Sequence, residues 1–244
     1  MPSLMKKAYC LVIVLLVAIT GSAQTANTLS AQEKKEGWKL LFDGKTIKGW
    51  HTYGKKGIGP AWKIDQDALQ LYVPKRAGNK AVGGGDIVTD EVFSGDFELK
   101  IDWKITRLAN SGVFLFVTED PKYEHAYTTA VEIQVTDNGI FGDGADNNHR
   151  AGDIFGLASS RIRVPEPVGE WNHLHVIFKK GVFTVFQNEI QIHEIRLDSP
   201  QWKEAIAKSS LKDKPVSKGN FTGRIGLQDW GSQSWYRNIK IRPL

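Results

Sequence analysis

The clearest pattern in the chain is strict alternation between apolar and charged residues from Phe97 to Ile105. Successive side chains of a strand point to opposite faces, so this pattern predicts a strand with one buried and one solvent-facing side. Residues 129–136 alternate in the same way. Val113 to Val117 is apolar at every position. That run predicts a central strand covered on both sides.

Similar patterns predict six further strands, at 69–73, 174–179, 182–187, 190–197, 224–228 and 235–241. Lys180-Gly181 and Asn188-Glu189 are predicted to be tight turns between neighbouring strands. About a dozen short strands with glycine-rich turns indicate an all-β fold, a two-sheet antiparallel jelly-roll sandwich. One short helix is predicted after Ser199, which can cap it, with Pro200 at its first position. We expect this helix to cover a sheet edge or the back of the sandwich.

The first residues have the composition of a signal peptide, predicted to span 1–23. Lys6 and Lys7 precede an apolar run from Ala8 to Ile19, and small residues follow at 21–23. The run is shorter than the roughly 20 residues that span a bilayer, which favours a cleaved signal peptide over a retained membrane anchor. No integral membrane span is therefore expected after cleavage. We therefore expect an exported protein that is periplasmic or secreted. Residues 24–36 are predicted to be a mobile lead-in, and 37–244 a single jelly-roll domain.

Composition narrows the chemistry. The only cysteine, Cys10, lies within the predicted signal peptide, so the mature protein would lack disulfides and thiol chemistry. The net charge of +5 is a mild excess without long basic runs, which disfavours nucleic-acid binding. The sequence shows no phosphate loop, nucleophile elbow or paired-cysteine zinc motif, and we expect no organic cofactor.

A long loop from Asp137 to Gly156 is dense in Asp, Asn and His, and loops of this length are usually functional or disordered. Its segment 142–148 resembles a calcium loop in composition but lacks the glutamate that an EF-hand needs at its twelfth position. A solvated turn-forming loop is the favoured interpretation. An oxygen-rich metal site of another kind stays open.

Three residues are candidates for catalysis. Glu132 sits in mid-strand between apolar neighbours; in a groove it could be a general base or metal ligand, and on an open face an ordinary surface carboxylate. His149 could bind a metal or carry a proton, or be a lone surface histidine. Asp153 lies in the same loop as His149.

Tryptophans near turns and strand ends suggest a saccharide partner, because indole rings stack on the apolar faces of pyranoses. The candidates are Trp50, Trp62, Trp230 and Trp235, and packing in the core is the alternative for each. Trp38, Trp103 and Trp171 are assigned to packing.

Several short segments, in this order and spacing, resemble the 3-keto-disaccharide hydrolase family, which includes proteins similar to 3-keto-glucoside 1,2-lyases and hydratases. The segments are Leu41 to Lys45 with Gly49-Trp50, Gly95 to Leu99, Asn110 to Phe114, Val131 to Gln134, Gly169 to Asn172, Gly223 to Asp229 and Tyr236 to Ile239. The resemblance implies a concanavalin A-like lectin/glucanase jelly roll. It also implies export in bacteria that degrade glycans, and cleavage of glycosides oxidised at carbon 3 by hydrolysis or 1,2-elimination. The chain departs from the family pattern at Trp230, where many relatives have histidine, and at Asn188-Glu189, where Asn-Gly is usual.

With this resemblance, Glu132 is predicted to act as base or metal ligand, and His149 as ligand or proton carrier, with a divalent metal as the possible electrophile. Asp153 and Asp229 are the next candidates for the metal or for sugar hydroxyls. The predicted substrate-binding residues are Asn110, Gln134, Asp229, Trp230 and Arg237. The alternatives are a conventional glycoside hydrolase with two carboxylates and a non-catalytic carbohydrate-binding module.

Overall fold

A computed structural model describes residues 25–141 and 148–244. The predicted signal peptide, together with residues 142–147 of the acidic loop, lies outside the described residues. No helix within these ranges has both the length and the hydropathy that crossing a membrane requires.

The described residues form two α-helices and fifteen strands, many of them short. In chain order they are α1 (Ala31–Lys35), β1 (Lys39–Leu40), β2 (Trp50–Thr52), β3 (Trp62–Asp65), β4 (Ala68–Leu71), β5 (Arg76–Ala77), β6 (Lys80–Ala81), β7 (Ile87–Thr89), β8 (Phe97–Ile105), β9 (Asn110–Val117), β10 (Val131–Thr136), β11 (Asn172–Lys179), β12 (Val182–Gln187), β13 (Ile190–Arg196), α2 (Pro200–Lys208), β14 (Arg224–Leu227) and β15 (Ser234–Pro243).

The strands form two large antiparallel sheets, which confirms the predicted all-β sandwich. The first sheet has the order β13-β12-β11-β8-β15-β4-β3, and β1 also pairs with β15. The second has the order β10-β9-β14-β7-β2, while β5 and β6 form a separate two-stranded hairpin. The main apolar cluster lies between the two sheets, with large buried side chains such as Leu99, Leu115 and Ile133 contributed by both.

The alternating strand β8 begins and ends where the sequence predicts, but its charged face is not simply wet. Glu98 and Asp102 are buried. Glu98 pairs with His175 at 2.5 Å, and Asp102 with His173 at 2.7 Å. These histidines are on β11, the neighbouring strand, so long polar side chains from across the sheet cover the carboxylates.

Strands β9 and β10 pair in antiparallel register, with Gln134 opposite Gly112 and Glu132 opposite Phe114. The predicted central strand is confirmed, since Val113 to Val117 is buried throughout. The polar face of β10 is buried as well. The predicted period is therefore correct, but both faces of this strand are covered.

The predicted mobile lead-in is instead held against the last strand. Ser30 and Glu33 form a capping box around α1. The backbone N–H of Asn27 donates to Asn238 Oδ1 at 2.6 Å, and Glu33 pairs with Lys240. Polar groups of this segment thus bind partners more than 200 positions away, and sequence pattern alone cannot reveal such partners.

Helix α2 begins as predicted. The Ser199 hydroxyl accepts a hydrogen bond from the Trp202 N–H, and Pro200 occupies the first turn. Trp202 and Ile206 are buried against the core. The helix ends at Lys208, so Ser210 lies beyond it and helps line the cavity described next.

Candidate functional site

A cavity of about 490 Å³ opens on the outer face of the second sheet. Its lining comes from β9, β10, the turn after β14, the loop after residue 148 and the segment that ends α2. The lining residues are Asn110, Tyr127, Ala130, Glu132, Gln134, Asn148, His149, Phe155, Gly156, Lys208, Ser209, Ser210, Leu211, Gln228 and Trp230. Five predicted site residues therefore come together here: Glu132, His149, Asn110, Gln134 and Trp230.

Three buried oxygen atoms on residues that line this cavity have no hydrogen-bond partner among the described residues: Glu132 Oε1, Gln134 Oε1 and Gln228 Oε1. Their side chains are deeply buried, with exposures of 7%, 2% and 5%. A buried acceptor without a donor costs roughly 1–3 kcal/mol, so such atoms are rare unless a ligand satisfies them. Three of them around one cavity indicate a site for a ligand that brings donor groups.

Gly112 makes room for the carboxyl group of Glu132. A Cβ atom at position 112 would lie 2.2 Å from Glu132 Oε1. The backbone here is also fixed, because Gln228 N–H donates to the Gly112 carbonyl at 2.9 Å. Glycine at this position thus allows the carboxyl group to lie flat across the sheet.

Gly112→Ala is expected to displace the Glu132 carboxyl group and lower activity by roughly 10²-fold, since misplacement of about 1 Å has that effect. Gly139→Ala is a matched control, because a Cβ there would approach only Asp137 of the same turn, at 3.1 Å. Steady-state kinetics of the two folded variants would measure the effect. Equal activity in both would contradict this account of Gly112.

Burial raises the pKa of Glu132 to about 8, and the negative charge of Asp86 adds to the effect. The Lys80 ammonium and the Gln228 side chain act in the opposite direction. The carboxyl group is consequently protonated at neutral pH in the free protein and becomes a base as the pH approaches about 8. Such a shift is common in groups that exchange protons with substrates.

The raised pKa predicts a pH-dependent stability difference between wild type and Glu132→Gln. The folded protein keeps the proton up to about pH 8, whereas the unfolded chain loses it near its ordinary pKa of 4.5. Wild type should therefore lose stability relative to the variant as the pH rises between those values, by on the order of 2–4 kcal/mol. Chemical denaturation at pH 4.5, 6, 7.5 and 9 measures it. A constant difference across this range would contradict the pKa.

His149 reaches the cavity because its loop is attached to β10. Phe155 N–H donates to the Glu132 carbonyl at 3.0 Å, and Gly152 N–H to the Gln134 carbonyl at 2.9 Å. The His149 ring then packs against Phe155, with ring centroids 4.4 Å apart. The loop therefore places an imidazole and an aromatic ring beside the cavity.

Asp153 does not line the cavity, contrary to its predicted catalytic role. It is fully buried. Its carboxylate accepts hydrogen bonds from Arg150 N–H at 2.8 Å and Ser160 N–H at 2.7 Å, and pairs with Arg163. These bonds fix the shape of the loop that carries His149, so the role of the Asp153 carboxylate is structural.

Asp229 is likewise buried and outside the cavity lining, where the sequence predicts a contact with sugar or metal. Its carboxylate accepts hydrogen bonds from three backbone groups: Ala81 N–H at 3.1 Å, Gly85 N–H at 2.7 Å and Gly231 N–H at 2.8 Å. It thereby holds the 81–85 loop against the turn that carries Trp230.

Arg237 lies on the other sheet, so the structure does not place it with the predicted sugar-binding residues. Its guanidinium carbon is 4.0 Å from the centre of the Trp171 ring, and it pairs with Asp102 at 3.4 Å. Of the other candidate tryptophans, Trp50 and Trp62 are in the core, while Trp235 donates to Asp65 on the first sheet. Trp230 alone of the four sugar-stacking candidates lines the cavity.

Several cavity residues were not singled out from the sequence. Tyr127, Phe155 and Gln228 line the cavity, and so does the segment from Lys208 to Leu211. Gln228 had a usable signal, because it lies within the family-like segment ending at Asp229. The end of α2 had none, because its position depends on packing between distant segments.

The residues that could hold a metal are limited. Among the described residues, no group of three or more His, Cys, Asp or Glu side chains is arranged to bind one. Glu132 and His149 do line one cavity with the amide oxygens of Gln134 and Gln228. Metal assistance at Glu132 and His149 therefore stays a prediction.

Comparison with known proteins points to one family. The family described as 3-keto-alpha-glucoside-1,2-lyase-like domain matches residues 37–242. A curated 3-keto-disaccharide hydrolase of Bacteroides thetaiotaomicron is 29% identical over 243 residues, covering 91% of this chain and 83% of the relative.

Solved structures agree with the fold. A Parabacteroides distasonis protein with a provisional glycosyl hydrolase assignment is 28% identical, with a TM-score of 0.78 over 90% of this chain and 100% of that one. A Bacillus subtilis protein of unknown function with a galectin-like fold has 14% identity and a TM-score of 0.50, covering 90% of this chain and 94% of that one. The second similarity concerns the fold alone.

Proposed function

The chain belongs to the 3-keto-alpha-glucoside-1,2-lyase-like family of glycoside-acting enzymes, and we propose that it cleaves glycosides whose sugar carries a ketone at carbon 3. The observation that carries the proposal is the group of three buried acceptor oxygens on Glu132, Gln134 and Gln228. Such acceptors match a sugar, because its hydroxyl groups are hydrogen-bond donors. The predicted signal peptide supports a periplasmic or secreted location as part of the same proposal.

The cavity suits a small glycoside. Its volume of about 490 Å³ is within the usual range of small-molecule sites. Trp230 and Phe155 offer rings for the apolar faces of a pyranose, while Gln134 and Gln228 accept from its hydroxyls. Asn110 is already engaged, since its side-chain oxygen accepts a hydrogen bond from the Gln134 amide at 2.8 Å.

The ketone determines the chemistry. It acidifies the proton on carbon 2, and ionised Glu132 removes that proton while the electron pair moves into an enolate. The enolate re-forms the ketone with a carbon 1–carbon 2 double bond, and the carbon 1–oxygen bond breaks. His149 is proposed to give the departing oxygen its proton. Addition of water to the resulting enone makes the overall reaction a hydrolysis, and release of the enone makes it a 1,2-elimination.

A conventional glycosidase is less well supported. It needs two carboxyl groups on either side of the bond that breaks, about 5–9.5 Å apart depending on the stereochemical outcome. Among the described residues that line the cavity, Glu132 is the only Asp or Glu. Asp153 and Asp229 are the other acidic residues that the sequence predicts for the site. Both carboxylates already accept hydrogen bonds from backbone N–H groups.

The proposal is tested by incubating the purified protein with a 3-keto disaccharide and with its unoxidised parent, following products by mass spectrometry. We expect cleavage of the keto compound alone. Cleavage of the parent would favour a conventional glycosidase, and saturable binding without turnover a carbohydrate-binding module. Repeating the assay with a chelator tests the metal: loss of activity that added divalent metal restores would support it.

A further inference from the structure

The loop before β7 is docked tightly on the turn that carries Trp230. Arg76 Nη2 donates to the Trp230 carbonyl at 3.1 Å, and Asp229 accepts from Ala81 and Gly85 N–H groups. A Cβ atom at Gly84 would lie 2.2 Å from Asp229 Oδ2, so the approach is close. The loop is therefore held in one position beside the cavity.

This docking places Lys80 beside Trp230, one of the residues that line the cavity. Its Nζ lies 5.9 Å from the centre of the Trp230 ring and 2.6 Å from Asp86 Oδ1. Asp86 is itself buried and fixed, because its carboxylate also accepts Asp229 N–H at 3.0 Å. The ammonium group has three N–H donors, and Asp86 fixes its position while leaving donors for another acceptor.

The reaction needs a positive charge that the cavity floor lacks. The amide oxygens of Gln134 and Gln228 would repel an enolate oxygen, and Glu132 is neutral once it has taken the carbon 2 proton. Lys208 also lines the cavity, but its side chain is 75% exposed and pairs with Glu204. The Lys80 side chain is 25% exposed, so water screens its charge less.

We propose that Lys80, held by Asp86, supplies the positive charge that stabilises the enolate oxygen on carbon 3 of the substrate. The inference rests on the proposed function. Lys80 keeps its proton throughout: Glu132 accepts the proton from carbon 2, the electron pair resides on the carbon 3 oxygen, and the ammonium pairs with that oxygen until the leaving group departs. Lys80 and Asp86 also act on the pKa of Glu132 in opposite directions, which places both within electrostatic range of the floor.

Enolate formation can be measured apart from bond cleavage. A methyl 3-keto-glucoside in D₂O reports it by NMR, as exchange of the carbon 2 proton for deuterium. Lys80→Met would leave Asp86 without its cation, so the double variant Lys80→Met/Asp86→Asn is included to remove both charges. Lys80→Arg keeps the charge, and Lys122→Met is the matched control for loss of an ion-paired lysine outside the cavity lining, since Lys122 pairs with Asp120.

We expect exchange and kcat on a 3-keto disaccharide to fall roughly 10²-fold in both Lys80→Met variants, with KM within about 3-fold. Lys80→Arg should recover much of the loss, and Lys122→Met should match wild type. Exchange at the wild-type rate in the folded double variant would overturn the role of Lys80 while leaving the proposed function intact. Failure of wild type to cleave any 3-keto disaccharide would overturn both.

Discussion

Glu132→Gln is expected to lower kcat/KM on a 3-keto disaccharide by roughly 10²–10⁴-fold, the usual contribution of a general base. The substitution removes the proton acceptor while keeping the shape that fits against Gly112. Binding of the substrate should change little, because the amide oxygen still accepts a hydrogen bond. Steady-state kinetics with calorimetric binding separate the two effects.

The pH dependence of the wild-type rate is a second test of Glu132 as the base. Burial raises the pKa of Glu132 to about 8, and only the ionised form accepts a proton. The rate should therefore increase with pH and level off above about 8. Glu124→Gln is a suitable control for Glu132→Gln, since the Glu124 side chain is 88% exposed and is not part of the cavity lining. Full activity in Glu132→Gln, or a rate that falls as pH rises from 6 to 8, would contradict the assignment of Glu132 as the base.

Asp229→Ala is expected to destabilise the protein by about 3–5 kcal/mol, because it leaves three backbone N–H groups without their acceptor. Activity should fall as well in the fraction that folds, because the loop carrying Lys80 loses its attachment. Chemical denaturation measures the first effect, and kinetics below the unfolding transition the second.

Asp43→Ala provides the comparison for Asp229. Asp43 also accepts backbone hydrogen bonds, from Lys45 and Thr46, but in an exposed turn where water can replace it. We expect a loss of about 1 kcal/mol there, as for other exposed side-chain caps. If the two variants lost equal stability, the buried role of Asp229 would be wrong.

The strands were predictable because their signal is local. The alternation from Phe97 to Ile105 gives the bounds of β8, and 182–187 gives those of β12. The same signal assigns Glu132 and Gln134 to one side of β10. It cannot say whether that side is open or covered, because the cover comes from the loop after residue 148 and from the end of α2.

The site was predictable only in part, for a related reason. Asp153 and Asp229 are of a residue type common in active sites, yet both carboxylates accept hydrogen bonds from backbone N–H groups. Arg237 belongs to the other sheet, and alternation identifies a face without saying which sheet carries it. Lys80 lies in a glycine-rich segment, but the sequence does not single it out, since its position depends on the hydrogen bond between Asp86 and Asp229, about 140 positions further along the chain.

The position of β15 has a consequence for how the protein acquires its structure. This strand, the last in the chain, lies between β8 and β4 and also pairs with β1. Without it, the first sheet is two separate groups of strands, and β1 has no partner in it. The sheet therefore cannot be completed until Ser234–Pro243 is available, and every pairing that this strand makes spans more than 100 residues. Such distant pairings make folding slow.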